Sequence, residues 1–373
     1  MNKMKVVFWW NIPCKGMINV LKCYAEDIDN SAIVVTGELS RSRKAMGWKD
    51  GGKLFDNHVV LSDSEWDVEG RKLIDRYNSR LHVFNGITYS PRMKRLIEYA
   101  ISQNVAFCNM SEAYFNLERG WKRIVKNMFM STLLPFKTNG IAKRSHGIIC
   151  LSGDSKRDMD QFKRLGFSSF FPFGYFTNEQ NDKSECNIND GQVHILCPGL
   201  LEYYKGVDIL ISALSILKKK GVNNFICHIT GNGYEKQYLQ NLTNSLKVND
   251  VIVFEGVLDS DSYNKLLSKI DILVAPGRVE PWGIRINEAI QRGNAVIVSD
   301  GIGANCLIKE SGGGAVFKSG SSSDLAKKLE PYLRSQDILI AAKKSNVDYK
   351  ETISCMSQAK RLSEYLNEMS YER

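Results

Sequence analysis

Short apolar runs alternate with longer segments of helical periodicity along the second half of the chain. Each run is nearly continuous, which is typical of strands that are buried on both faces of a parallel sheet. The predicted strands are Val193–Cys197, Phe225–Ile229, Val251–Phe254, Ile272–Ala275 and Ala295–Val298. Residues 208–220, 234–247 and 260–270 between them have the spacing of amphipathic helices. This alternation predicts a doubly wound α/β domain with a parallel sheet.

The first half repeats the same rhythm less regularly. Its predicted strands are Lys5–Trp10, Ala32–Thr36, His58–Leu61, Leu81–Phe84, Val105–Cys108, Ile148–Leu151 and Ser169–Phe173, and its predicted helices lie around residues 16–26, 66–78, 91–103 and 154–165. A polar stretch over Thr177–Gly191 is the predicted linker. We therefore predict an N-terminal Rossmann-like domain at residues 1–180 and a C-terminal one at 181–350. A last helix at 351–373 is predicted to pack back toward the first domain.

The size and composition of the chain agree with two globular domains. At about 100–200 residues per domain, a chain of 373 residues is long enough for two. The sequence has no apolar run of about 18 residues and no signal peptide at its start, so we predict a cytoplasmic protein. Its nine cysteines are scattered and never form a Cys-x-x-Cys pair, which favours reduced, buried thiols over disulfides or a zinc site.

The net charge of +9 belongs entirely to the first half. Residues 1–180 hold 27 Lys and Arg against 18 Asp and Glu, whereas residues 181–373 hold 23 of each. Residues 119–144 contain seven cations, no acidic residue and several large apolar side chains. Such a segment favours docking on an anionic membrane, peripherally on its inner face. The alternative is a helix with a solvated basic face. A nucleic-acid partner is disfavoured, because the ligand motifs described next lie in the neutral half.

A segment of ten residues, Glu280-Pro-Trp-Gly-Ile-Arg-Ile-Asn-Glu-Ala, carries the strongest chemical signal. It follows a predicted buried strand. If a helix begins near Gly283, its free N–H groups and positive dipole end form an anion site. Glu280 would then lie in the loop above the anion, and Glu288 would lie about a turn and a half into the helix. One anion flanked by two hydroxyl-binding carboxylates fits a sugar–diphosphate–ribose ligand.

Three other strands of the same half are followed by turns with ligand-binding character. Gly199 opens a turn that ends in Lys205, Gly231-Asn-Gly233 follows the next strand, and Val257 follows the third. The carboxyl ends of parallel strands lie at one edge of a sheet, so these turns are expected to converge.

The order and spacing of these motifs over residues 193–330 resemble the nucleotide-sugar domain of retaining GT-B glycosyltransferases of family 4. The resemblance implies two doubly wound domains facing across a cleft. It implies transfer of a sugar, with retention, from a UDP- or GDP-sugar to a saccharide or lipid-linked acceptor in bacterial cell-surface polysaccharide or glycolipid assembly. It implies no metal and no other cofactor. The alternative hypothesis is a non-catalytic protein that binds a nucleotide sugar or a lipid phosphate.

The resemblance also assigns roles to individual residues. Glu280 would face the donor sugar, Glu288 the ribose and Lys205 the diphosphate. The full set of donor-binding residues that it implies is Gly16, Gly199, Lys205, Gly231, Gly233, Val257, Glu280, Trp282, Gly283, Ile284 and Glu288.

The sequence departs from the family at Leu200, where an arginine is usual. Arg285, or less favourably Arg278, is predicted to supply the missing cation, so Arg285 joins Glu280 and Lys205 as a predicted catalytic residue. The first domain resembles the family only in its alternation of predicted strands and helices. There Asn85, Asn109 and Glu112 follow or end predicted strands and are candidate acceptor contacts. The five histidines lie in or beside strands and are expected to be structural.

Overall fold

The structure is a computed structural model of the chain, and it describes residues 5–39, 52–88, 90–118, 120–177 and 191–371. The chain divides into two compact units, Met1–Asn178 with Ser354–Arg373, and Glu179–Ile353. Apart from its two end residues, the predicted linker Thr177–Gly191 lies outside the described residues.

The first unit is built on a seven-stranded parallel sheet with the order β3-β2-β1-β4-β5-β6-β7. Its strands are β1 (Val6–Trp10), β2 (Ile33–Gly37), β3 (His58–Leu61), β4 (Leu81–Asn85), β5 (Phe107–Ser111), β6 (Ile148–Cys150) and β7 (Phe170–Pro172). Its helices are α1 (Lys15–Cys23), continued by a π-helical turn at Tyr24–Ile28, α2 (Trp66–Arg76), α3 (Pro91–Ser102), α4 (Gly120–Ala142), α5 (Lys156–Leu165) and, from the end of the chain, α13 (Cys355–Tyr371).

Burial of the central strands explains the apolar runs of the first half. Every residue of β1 is buried, and this strand pairs with β2 on one side and β4 on the other. Trp9 and Phe84 stack across that pairing with ring centroids 5.7 Å apart. Helix α13 packs against α1, so the last residues of the chain belong to the first unit.

The second unit is built on a six-stranded parallel sheet with the order β10-β9-β8-β11-β12-β13. Its strands are β8 (Val193–Cys197), β9 (Phe225–Thr230), β10 (Ile252–Gly256), β11 (Ile272–Ala275), β12 (Ala295–Ser299) and β13 (Gly314–Phe317). Its helices are α6 (Val207–Lys219), α7 (Lys236–Ser245), α8 (Ser260–Leu267), α9 (Ile284–Gln291), α10 (Asn305–Ser311), α11 (Ser322–Arg334) and α12 (Gln336–Tyr349).

The prediction of two doubly wound parallel sheets is confirmed, and most predicted strands are within two residues of the observed ones. Two differences have physical causes. Strand β5 extends to Ser111 because its polar residues Asn109 and Ser111 are buried in the sheet. Strand β13 is not among the predicted strands. Gly314 begins it with a φ of 156°, and a side chain there would overlap the backbone of Val296 on the neighbouring strand.

None of the eight cysteines that the structure describes is in a disulfide, and six of them are buried. The prediction of core-filling cysteines is therefore confirmed for these six, whereas Cys14 and Cys23 are only partly buried. Cys186 lies outside the described residues. No helix in the described ranges is both long enough and apolar enough to cross a membrane.

Candidate active site

Lysine and glutamate side chains meet at the carboxyl edge of the six-stranded sheet. Lys205 follows β8 and Glu280 follows β11, and these two strands are neighbours. The Lys205 Nζ lies 2.8 Å from the Glu280 Oε1. Both side chains are about one-quarter exposed, so the pair remains accessible to a ligand. The structure thus brings together two of the three predicted catalytic residues, which lie 75 positions apart in the sequence.

Helix α9 begins where the sequence predicts, directly after Gly283. Gly283 has a φ of 98°, in the left-handed region that favours glycine, and a Cβ there would lie 2.8 Å from the Ile302 side chain. The first N–H groups of a helix have no partner within the helix, and its dipole is positive at that end. The carboxyl carbon of Glu280 lies 3.9 Å from the position of that Cβ. A helix start with the N–H groups and dipole that suit an anion therefore lies next to the Lys205–Glu280 pair.

The loop that carries Glu280 is fixed through its backbone. The Glu280 N–H donates to the Gly301 carbonyl at 3.0 Å, and its own carbonyl accepts from Gly303 at 3.1 Å. The side chain of Trp282 is buried, and its indole N–H donates to the Asn287 Oδ1 at 2.9 Å. This indole ties the loop to α9. The donor contact that the sequence predicts at Trp282 stays a prediction.

Arg278 braces the turn that carries Lys205. Its guanidinium donates to both carboxylate oxygens of Asp208, at 2.8 and 2.6 Å, and to the Tyr203 carbonyl at 2.7 Å. It also lies over the Tyr203 ring, 4.0 Å from the centroid. Burial opposes the charged form of Arg278, but the hydrogen bonds and charge of Asp208, together with the contacts to Tyr203, raise its pKa above the usual value. Asp208 is not among the residues predicted from the sequence, although an acidic residue in the first turn of α6 was a usable signal.

Glu288 lies on α9 with only 9% of its surface exposed. The Arg285 Nη1 lies 2.8 Å from the Glu288 Oε2, and the Arg285 guanidinium lies 4.1 Å from the centroid of the Tyr263 ring. Burial raises the pKa of Tyr263, and the nearby Glu288 charge raises it further. The expectation that Arg285 faces a phosphate stays a prediction. In this structure its charge is engaged by Glu288.

The predicted donor-binding glycines allow two turns to pack closely. A Cβ on Gly231 would overlap the Gly199 carbonyl oxygen, and a Cβ on Gly233 would overlap that of Leu201. The sequence predicts that these glycines let a ligand approach the backbone. In the structure they let the backbone of residues 199–201 pack against residues 231–233. Leu200, in the first of these turns, is 54% exposed, and Val257 is 75% exposed.

Amide side chains gather at the carboxyl edge of the seven-stranded sheet. Asn11, which follows β1, donates through its Nδ2 to the Asn85 Oδ1 at 2.9 Å. Asn109 is fully buried and donates to the Gly86 carbonyl at 2.9 Å. Asn85 and Asn109 were predicted here. Asn11 was missed, although a polar residue directly after a buried strand is the same signal.

Two other predicted residues of the first unit also have defined partners. Tyr175 donates its hydroxyl hydrogen bond to the Glu112 Oε1 at 2.7 Å. The Gly16 carbonyl, in the first turn of α1, accepts from the Phe176 N–H at 2.7 Å. Both contacts fasten the segment around residues 175–176 to the sheet edge.

Two histidines of the first unit form hydrogen bonds with side chains inside the protein. The Trp9 indole donates to the His82 Nδ1 at 2.9 Å, and the His58 Nε2 lies 2.8 Å from the Thr36 hydroxyl. Burial lowers the pKa of both His58 and His82 to about 4, so both are neutral at pH 7. Among the described residues, no group of three or more His, Cys, Asp or Glu side chains is arranged to hold a metal ion.

Comparison with known proteins fits this geometry. Residues 178–351 match the family described as glycosyl transferases group 1. This match covers the second unit almost from end to end. Its matched residues include Lys205, Glu280, Gly283 and Glu288.

Curated relatives align with this chain over only part of their own length. A glycosyltransferase of Methanocaldococcus jannaschii, itself uncharacterized, is 33% identical over 129 residues, which is 35% of this chain and 33% of that protein. The O-antigen biosynthesis glycosyltransferase WclY of Escherichia coli is 31% identical over 121 residues, 32% of each chain. The chain thus spans about one-third of the length of these relatives.

Solved structures extend the likeness to the whole fold. The structure of HepE from Anabaena, in complex with UDP and glucose, aligns with 98% of this chain and 100% of its own, with a TM-score of 0.66 and 15% identity. At that identity the likeness shows the fold, which is of the GT-B type predicted from the sequence.

Proposed function

We propose that the protein is a retaining glycosyltransferase of family 4 that moves a sugar from a UDP- or GDP-sugar to a saccharide or lipid-linked acceptor. Its setting would be bacterial cell-surface polysaccharide or glycolipid assembly. The observation that carries the proposal is the Lys205–Glu280 pair beside the start of α9, with Glu288 on the same helix. The glycosyl transferases group 1 match over residues 178–351 supports it.

Each part of this arrangement matches one part of a nucleotide-sugar. Lys205 and the N–H groups at the start of α9 would stabilise the diphosphate as it leaves with extra negative charge. Glu280, held in place by the backbone of residues 301–303, would accept hydrogen bonds from the sugar hydroxyls. Glu288 would accept from the ribose hydroxyls.

Retention of configuration would follow from attack on the same face that the diphosphate leaves. The acceptor oxygen bonds to the anomeric carbon as the bond from that carbon to the phosphate oxygen breaks, and this departing oxygen takes the acceptor proton. No protein base is needed. The buried, neutral His58 and His82 fit this scheme, because neither is exposed to an acceptor.

A thermal-shift screen against UDP, GDP, ADP and TDP sugars, followed by a turnover assay, tests the proposal. We expect one donor class to raise the melting temperature and to release nucleoside diphosphate when an acceptor is present. A protein that binds the donor but never releases nucleoside diphosphate would instead fit the alternative, a non-catalytic binding protein.

We predict that transfer survives an excess of EDTA. Lys205 and the start of α9 can stabilise the leaving diphosphate without a divalent cation. Initial rates with and without EDTA should agree to within about twofold, a difference of only about 0.4 kcal/mol in barrier height. Loss of turnover on chelation that added magnesium or manganese restores would contradict the metal-independent mechanism.

The amide cluster of the first unit suits a hydroxylated acceptor. Asn11 and Asn85 offer amide donors and acceptors at the sheet edge, and Glu112 adds a carboxylate held by Tyr175. These groups form neutral or charge-assisted hydrogen bonds with sugar hydroxyls. We therefore keep Asn85 and Glu112 as proposed acceptor residues and add Asn11. Asn109 is fully buried, so we propose that it acts by positioning the backbone at Gly86.

Helix α4 also supports a membrane-linked acceptor. Of its residues, only Leu134, Thr138, Ile141 and Ala142 are buried. Its large apolar side chains are instead exposed, at Trp121, Ile124, Val125, Met128, Phe129, Leu133 and Phe136. Spacings of three and four residues place them on one broad face, and Lys122, Lys126 and Lys137 flank it. An apolar face bordered by cations fits the interface of an anionic membrane.

Liposome sedimentation tests this membrane proposal. Each cation near an anionic surface contributes about 1 kcal/mol, so replacing Lys122, Arg123 and Lys126 by Ser should weaken binding to phosphatidylglycerol vesicles by at least about tenfold. Binding should also fall as salt rises. The matched control replaces three exposed lysines of the second unit, Lys327, Lys328 and Lys344, by Ser. Equal effects of the two triple changes, or no sedimentation at low salt, would contradict the proposal.

A further inference from the structure

Arg285 lies three residues before Glu288 on α9, so their side chains are neighbours on one face of the helix. The Arg285 Nη1 contacts the Glu288 Oε2 at 2.8 Å. The two side chains differ in exposure, because that of Arg285 is 49% exposed and that of Glu288 only 11%. The guanidinium therefore pairs with a carboxylate that is nearly buried.

A buried carboxylate is costly unless it is paired and hydrogen-bonded. Arg285 provides this pairing at one carboxylate oxygen, Oε2. Tyr263, on α8, provides a flat surface for the guanidinium at 4.1 Å from its ring centroid, a distance typical of a cation–π contact. Tyr263 is only 6% exposed, so this surface is rigidly held.

We propose that Arg285 and Tyr263 are positioning residues, which hold the Glu288 carboxylate so that its other oxygen accepts hydrogen bonds from the ribose hydroxyls of the donor. The inference rests on the proposed function, since it assumes a ribonucleotide ligand. It gives Arg285 a role different from the one that the sequence suggested, in which its guanidinium replaces a phosphate-binding arginine missing at Leu200.

The two roles predict different ligand selectivity. A residue that acts through Glu288 affects only ligands with ribose hydroxyls. A residue that binds phosphate affects ribose and deoxyribose ligands equally. Comparing a nucleoside diphosphate with its 2′-deoxy and 3′-deoxy forms therefore separates the roles without any need for an acceptor.

The experiment measures dissociation constants by isothermal titration for UDP, GDP and ADP, and then for the deoxy forms of the tightest binder. The wild type should prefer the ribose form by at least about tenfold, because only that form offers hydroxyl groups that donate hydrogen bonds to the charged Glu288 carboxylate. Glu288→Ala should abolish that preference. Arg285→Ala should reduce it to less than about threefold while changing the affinity for the deoxy forms by less than about twofold.

Three further variants serve as controls. Tyr263→Phe keeps the ring and should keep the ribose preference, whereas Tyr263→Leu should lose part of it. Arg334→Ala removes an arginine of similar exposure that also pairs with a glutamate of its own helix, Glu330, and should change nothing.

Two results would overturn the inference while the proposed function stands. One is an Arg285→Ala variant that binds the ribose and deoxy forms more weakly by the same factor, which would assign Arg285 to the phosphates. The other is a ribose preference that Arg285→Ala leaves intact. If the wild type binds none of the three nucleoside diphosphates, the proposed function itself fails. This outcome is measured on the wild type alone, so it is distinct from the two results above.

Discussion

Replacing Glu280 by alanine should abolish sugar transfer and leave the binding of the nucleoside diphosphate nearly unchanged. Its carboxylate lies 2.8 Å from Lys205 and beside the start of α9, where it would meet the donor sugar and not the nucleotide. Loss of charged hydrogen bonds to the reacting sugar should cost at least about 2.7 kcal/mol, or about 100-fold in turnover. Turnover at saturating donor, together with titration of the nucleoside diphosphate, measures both effects.

Glu280→Gln is the matched control for this variant. It preserves the shape of the side chain and one hydrogen-bond acceptor but removes the charge that pairs with Lys205. We expect its turnover to lie between those of the wild type and Glu280→Ala. An alanine variant with normal turnover, or one that loses nucleoside diphosphate affinity and keeps its turnover, would assign Glu280 to the nucleotide and contradict the proposal.

Replacing Lys205 by alanine should lower turnover by about 100- to 1000-fold, since removal of one preorganised donor to a developing negative charge costs about 2.7–4 kcal/mol. The fold should survive, because the turn that carries Lys205 is braced independently by the Arg278–Asp208 ion pair. The melting temperature should therefore stay close to that of the wild type.

Single-turnover kinetics with the preferred donor separate this effect from donor binding. We expect the loss in the chemical step to exceed the loss in donor affinity, because the diphosphate gains negative charge as it leaves. Lys205→Arg keeps the positive charge and should retain part of the activity. A Lys205→Ala variant whose defect disappears at saturating donor would show that Lys205 contributes only to binding.

The fold was predictable where strands are buried on both faces. Strands β8 and β11 have the bounds that their apolar runs predict, because a strand covered by helices needs apolar residues at every position. The prediction failed where the sequence gives no such run. Gly314–Phe317 lies at the edge of its sheet, is mostly half-buried and begins with glycine, so its sequence does not predict a strand.

The positions of the site residues were predictable, but their pairing was not. The carboxyl ends of parallel strands share one edge, so the convergence of Lys205, Glu280 and Gly283 followed from topology. The contacts between Arg278 and Asp208 and between Arg285 and Tyr263 join residues on different elements. Such contacts depend on side-chain directions that single-sequence periodicity does not contain.

A crystal structure of the protein with the nucleotide sugar that it binds is the most direct test of the proposed donor site. We predict that the diphosphate contacts Lys205 and the first turn of α9, that the sugar lies at Glu280 and that the ribose lies at Glu288. A diphosphate bound away from Lys205, or a ligand in the reverse orientation with its ribose at Glu280, would contradict it.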